Sequence, residues 1–121
     1  MTYIAPIEVS GANYKLLMEN DAVKVLEMTL KAGTSDIEHS HHDETVYFIT
    51  GGKVKVHMPD GGTADLEFPD GFVMWHEAWT HRVENVGTTD IKAIIVEIKA
   101  PLFVGNAYWV YTIGDGAIIL K

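Results

Sequence analysis

Residues 53–68 read Lys53-Val54-Lys55-Val56-His57-Met58-Pro59-Asp60-Gly61-Gly62-Thr63-Ala64-Asp65-Leu66-Glu67-Phe68, and this stretch decides the fold class. Its first six residues alternate polar and apolar, so Val54, Val56 and Met58 share one face of an extended chain. The last six alternate in the same way, with Ala64, Leu66 and Phe68 on a common face. Between the two runs, Pro59-Asp60-Gly61 is turn chemistry: proline presets φ, aspartate bonds nearby backbone, and glycine accepts a positive φ. The pattern recurs on either side. Leu26, Met28 and Leu30 stand at period two within residues 24–30, and 91–98 is a longer run rich in β-branched residues. Gly33, Gly51-Gly52, a second Pro-Asp-Gly at 69–71, Gly87, Pro101, Gly105 and Gly114 cut the chain into runs of about five to eight residues, strand length rather than helix length. The expectation is an all-β single domain over residues 1–121, a sandwich or barrel. Residues 101–121 stand apart as a C-terminal extension in which Phe103, Tyr108, Trp109 and Tyr111 cluster, suited to an extra strand, a lid or a dimer surface.

Composition narrows the function. A chain of 121 residues can bury one core without staples. The absence of cysteine excludes disulfides, thiol nucleophiles, cysteine zinc sites and iron–sulfur clusters. A formal charge of −8, with Arg82 the single arginine, repels a phosphate backbone, so neither nucleic acid nor an anionic membrane is an expected partner. No apolar run approaches the ~18 residues of a membrane span. Met1 to Glu8 lacks the basic start of a secretory signal, and a cytoplasmic location is expected.

The unusual feature is six histidines, three of them at positions 39, 41 and 42. On a strand, His39 and His41 at i and i+2 point to the same face, close enough to share one ion. Asp43 and Glu44 follow directly. A continuous strand puts Asp43 on the histidine face, whereas a turn after His41 resets the parity in favour of Glu44. His81 lies in a second segment, Gly71-Phe72-Val73-Met74-Trp75-His76-Glu77-Ala78-Trp79-Thr80-His81-Arg82-Val83-Glu84-Asn85, and alone would read as an ordinary strand-edge histidine.

Taken together, the two segments resemble the paired motifs of the cupin superfamily. The first motif, at about 33–51, is filled by Gly33, His39, His41, Glu44 and Gly51, with only two residues between His41 and Glu44. The second, at about 71–85, is filled by Gly71, His81 and Asn85, with Glu77 and Trp79 replacing the usual proline and glycine and one residue fewer. Small single-domain cupins share these shortened forms, and the likeness covers roughly residues 14–99. It implies a jelly-roll β-barrel, the double-stranded β-helix, in which His39, His41, Glu44 and His81 bind one divalent metal per chain. Asp43 is the alternative to Glu44, whose spacing to Gly51 matches the motif. Three neutral imidazoles and a carboxylate suit Fe, Mn, Ni, Co, Cu or Zn and leave coordination positions open.

Other residues carry weaker signals. His76 shares a face with Phe72 and Met74 and is a candidate base near the metal. Arg82 is a candidate grip for a substrate carboxylate, with a surface salt bridge to Glu84 or Glu77 as the alternative. His42 and His57 are expected at the surface. Two classes stay open: a metal-dependent enzyme of dioxygenase, isomerase or lyase type acting on a small organic molecule, and a binder or sensor without turnover. The ligand set favours the enzyme. The expected assembly is a homodimer, resting on the apolar tail.

Overall fold

The computed structural model describes residues 2–99 and the strand paths 102–104, 108–113 and 116–120. A four-residue helix, α1 (Pro6–Val9), precedes the strands β1 (Tyr14–Glu19), β2 (Val23–Leu30), β3 (His39–His41) and β4 (Asp43–Thr50). Then come β5 (Gly52–His57), β6 (Thr63–Phe68), β7 (Val73–His76), β8 (Trp79–Asn85) and β9 (Ile91–Ile98). The tail adds β10 (Leu102–Val104), β11 (Tyr108–Ile113) and β12 (Gly116–Leu120). No helix of the described residues is long and apolar enough to cross a membrane.

The two alternating runs that set the fold class pair as an antiparallel hairpin, Gly52 opposite Phe68 through His57 opposite Thr63. Gly61 sits in its turn at a φ of 91°. Two sheets enclose the core: a five-stranded one in the order β1-β2-β9-β4-β7 and a four-stranded one in the order β3-β8-β5-β6. All pairings are antiparallel. Inward-facing residues supply the core at period two: Leu26, Met28 and Leu30 from β2, Val46 and Phe48 from β4, Val54 and Val56 from β5, and Ile91, Ala93 and Ile95 from β9. The all-β jelly-roll expectation therefore holds. The tail forms a three-stranded sheet in the order β10-β11-β12. The side chains of Phe103, Tyr108, Trp109 and Tyr111, on which the dimer expectation rests, lie outside the described residues.

Two motif residues have structural causes. A Cβ on Gly51 would lie 1.9 Å from the Phe68 carbonyl oxygen, a backbone atom that cannot move aside. Asn85 is buried, and its amide donates to the carbonyls of Leu30 and Thr89, both at 2.9 Å. It ties β8 to the end of β2 and to the turn before β9.

His42 separates β3 from β4, so the chain passes from the four-stranded sheet to the five-stranded one within a single residue. That crossing resets the strand parity. Glu44, Val46 and Phe48 face inward, and Asp43 faces out.

Candidate metal centre

His39 and His41 project inward from β3, and His81 projects from β8 directly opposite His39 in the register. All three are buried. Their ring centres stand 4.7, 4.8 and 5.3 Å apart, nearly edge to face. One ring nitrogen from each lies within 4.8 Å of the other two. His41 and His81 stand 40 positions apart in the chain, and the β3–β8 pairing brings together the histidines that the motif resemblance had grouped.

Hydrogen bonds fix which nitrogen faces inward. His39 donates from Nδ1 to the Ile37 carbonyl at 2.7 Å, and His41 donates from Nδ1 to Glu97 Oε2 at 2.8 Å. Both Nε2 atoms then turn toward each other, 3.0 Å apart. Two bare lone pairs at that distance repel, so a cation belongs between them. Burial and the neighbouring His41 push His39 down to about 4. Burial, then His41 and His39, hold His81 well below its ordinary value. Burial also works against a charge on His41, but the Glu97 hydrogen bond and the carboxylates of Glu44, Glu97 and Asp36 outweigh it and raise that group. A metal ion suits the same place. Two imidazole nitrogens each ~2.1 Å from one ion and at right angles are ~3.0 Å apart, which matches the separation found. His81 adds a buried Nδ1 without a hydrogen-bond partner. The donor set fits a divalent metal.

The two carboxylates of the first motif have separate positions. Asp43 is exposed and accepts the Ala78 backbone N–H at 2.8 Å, outside the cavity. Glu44 is buried, faces the same cavity as His41 and His81, and accepts the Trp79 indole Nε1–H on Oε2 at 2.7 Å. Burial raises Glu44 above the usual carboxylate range, and His41 and the Trp79 bond only partly offset that rise. His76 stands opposite Glu44 in the β4–β7 register, but its ring stacks on Trp79 at 3.5 Å, with the indole also 4.0 Å from His81. It does not line the cavity. Arg82 follows His81 on β8, so it points to the opposite face, where Nη1 donates to Ser35 Oγ at 2.6 Å. It is not a cavity residue either, and no described ion pair joins it to Glu84 or Glu77.

The cavity beside the cluster holds about 50 Å³. Its walls are apolar (Met28, Val46, Phe48, Val54 and Ile95 among them) apart from Tyr14, Glu44, Trp79 and the histidines.

No protein-family model matches the chain, and no curated protein matches it in sequence. Solved structures do. A cupin domain from Bordetella pertussis Tohama I is 25% identical, aligned over 83% of this chain and 99% of its own, with a TM-score of 0.65. The chain has the cupin fold. A conserved protein with a double-stranded β-helix domain from Klebsiella pneumoniae is 19% identical, over 98% of this chain and 91% of its own, at a TM-score of 0.57. A polyketide cyclase from Streptomyces resistomycificus is 17% identical, over 78% and 72%, at a TM-score of 0.54. At those last two identities the likeness concerns the fold alone, because one barrel hosts many chemistries.

Beyond the two motifs, the chain surrounds the imidazoles with residues that sequence reading passed over. Glu97 is fully buried at the end of β9. It accepts four hydrogen bonds: His41 Nδ1 on Oε2, and Tyr3 Oη, the His42 backbone N–H and His42 Nδ1 on Oε1, at 2.8–3.1 Å. Burial alone would raise Glu97, but the bonds from His41 and His42 hold it at about 2. His42, expected at the surface, is half-buried by stacking on Tyr3 at 4.4 Å. On the other side, Tyr14 donates its hydroxyl to Asp36 Oδ2 at 2.8 Å and brings its oxygen within 3.1 Å of His39 Nε2. Burial lifts Asp36 to about 6 against the pull of the Val83 N–H and Tyr14 bonds. A signal for Glu97 was present: it occupies the inward parity of Ile91, Ala93 and Ile95, where a lone carboxylate demands a partner. His57, also expected at the surface, is likewise partly buried, its Nε2 3.0 Å from Glu84.

Proposed function

We propose that the protein is a metal-dependent enzyme acting on a small organic molecule, with one divalent ion held by His39, His41 and His81. The observation that carries this reading is the pair of facing Nε2 atoms, 3.0 Å apart and fixed from behind by the Ile37 carbonyl and Glu97. Partners of this kind set the tautomer of a ligating imidazole and raise its basicity. A bound divalent metal would supply Lewis-acid polarisation of a substrate oxygen or, with a redox-active ion, electron transfer. The chain's own residues do the rest. Glu97 and the Ile37 carbonyl orient the donors, the apolar walls exclude water, and Glu44 faces whatever enters.

A second reading, a binder without turnover, is supported by the size of the cavity. About 50 Å³ admits only a very small molecule. Metal analysis of untagged protein, with thermal melting before and after chelation, tests the shared part. One ion per chain and a lower midpoint after chelation are expected, because a native-state ligand stabilises by mass action. No ion and an unchanged midpoint would defeat both readings. Turnover of a panel of small diketones, phenols and thiols by the loaded protein separates them. The assembly we propose is a homodimer with no nucleic-acid or membrane partner. Tyr47, Ile49 and Val73, exposed on the outward side of β4 and β7, support it. Sedimentation as a monomer at tens of micromolar would count against it.

A further inference from the structure

The carboxylate that the first motif offers is already engaged. Glu44 Oε2 holds the Trp79 Nε1–H at 2.7 Å, and no described hydrogen bond joins Glu44 to any of the three imidazoles. One nitrogen each from His39, His41 and His81 forms a group within 4.8 Å, and no oxygen of Glu44 belongs to it. Trp79 is itself confined. It stands opposite His41 in the β3–β8 register, with its ring packed between His81 at 4.0 Å and His76 at 3.5 Å. The short connection after His41 explains the displacement. A single residue carries the chain to the facing sheet, where the register sets Glu44 between Glu97 of β9 and His76 of β7.

We propose that this protein's metal centre has three histidine ligands and no carboxylate ligand, with Trp79 holding Glu44 beside it as an unligated carboxylate. The proposal rests on the reading of His39, His41 and His81 as the metal's ligands. Three neutral imidazoles leave a divalent ion its full charge, whereas a carboxylate ligand would halve the net charge of the centre. Such a centre prefers an anionic oxygen donor, a carboxylate or enolate, in its open positions. Glu44 is the carboxylate in the described cavity wall, and so the group placed to exchange a proton with a molecule seated there.

Cobalt(II) is the probe, because its visible spectrum reports coordination number and donor type without any turnover. Glu44→Gln keeps an oxygen for the Trp79 N–H and should bind cobalt with the parent's spectrum. Its affinity should stay within about threefold of the parent's, below the ~10–100-fold cost of losing a partner that orients a ligand. Trp79→Phe removes the N–H and keeps an aromatic ring. Glu44 then swings onto the ion and the spectrum shifts, a shift absent from the Glu44→Gln/Trp79→Phe double variant. A changed spectrum or an affinity loss of ~10-fold or more in Glu44→Gln would overturn the proposal. A Trp79→Phe spectrum identical to the parent's would overturn the tether, and should that variant not fold, the Glu44→Gln spectrum decides alone. Failure of the underlying reading looks different: the parent takes up no cobalt, or His81→Ala binds it as the parent does.

Discussion

Replacing Glu97 by glutamine tests how far the metal centre depends on its surroundings. The carboxylate accepts at both oxygens, from His41 on one side and from Tyr3 and both His42 donors on the other. An amide has one oxygen, so one side must meet an NH₂ group. If the NH₂ faces His41, two donors collide and the imidazole shifts its proton to Nε2, which removes the lone pair a metal needs. If it faces the other side, the Tyr3 hydroxyl and the His42 ring can reorient but the His42 backbone N–H cannot, and it loses its acceptor. A buried donor left without a partner costs about 1–3 kcal/mol, so the metal-free variant should unfold at lower urea by that amount, with an unchanged slope. With the NH₂ toward His41, loss of the ligand-orienting acceptor should weaken metal binding by ~10–100-fold, equivalent to about 1.4–2.7 kcal/mol. Urea unfolding in chelator gives the first quantity, and competition titration with a chromogenic chelator gives the second. A variant with parent-like stability and an affinity within about twofold would refute the assignment of Glu97 as the group that orients His41.

The acid limb of stability should carry the same signature. Glu97 is held at about 2, below the ~4.3 of an ordinary glutamate, so its contribution is full above ~4.3 and is lost as pH falls toward 2. Unfolding free energies measured from pH 5 to 2.5 should fall less steeply in Glu97→Gln than in the parent. Metal affinity should fall as pH drops below neutrality, because His41, raised by the Glu97 bond and its neighbouring carboxylates, is the ligand on which a proton competes first. His39, at about 4, joins only near that value. Isothermal titration in buffers of different ionisation enthalpy counts the protons released, and a count near three at pH 6.5 would contradict the tautomer arrangement. Asp43→Ala removes the acceptor of the Ala78 N–H and should cost about 0.5–1.5 kcal/mol while leaving metal affinity unchanged. Gly51→Ala drives a Cβ into the Phe68 backbone and should cost about 3 kcal/mol, read as a lowered melting midpoint.

The barrel was legible because strand chemistry is local. Alternation in 53–58, 63–68 and 24–30 and the two Pro-Asp-Gly turns follow from side-chain direction and φ preferences, which need only a residue and its neighbours. His39 and His41 belonged to the same local logic, as residues two apart on one strand. The parity reset at His42 was readable as an alternative and undecidable from the chain alone, because a single residue crossing between sheets looks like any other strand residue. What the tertiary structure alone decided is pairing across long separations. The motif resemblance had grouped His81 with His39, but the β3–β8 register that faces them, and the β4–β9 register that sets Glu97 beside Glu44, exist only in the fold. The hydrogen bond from Trp79 to Glu44 spans 35 residues. A carboxylate's role depends on which donor reaches it first, and that is a property of distance in space. Sequence spacing named the residues of this site, and the meeting of the two sheets determined what each of them faces.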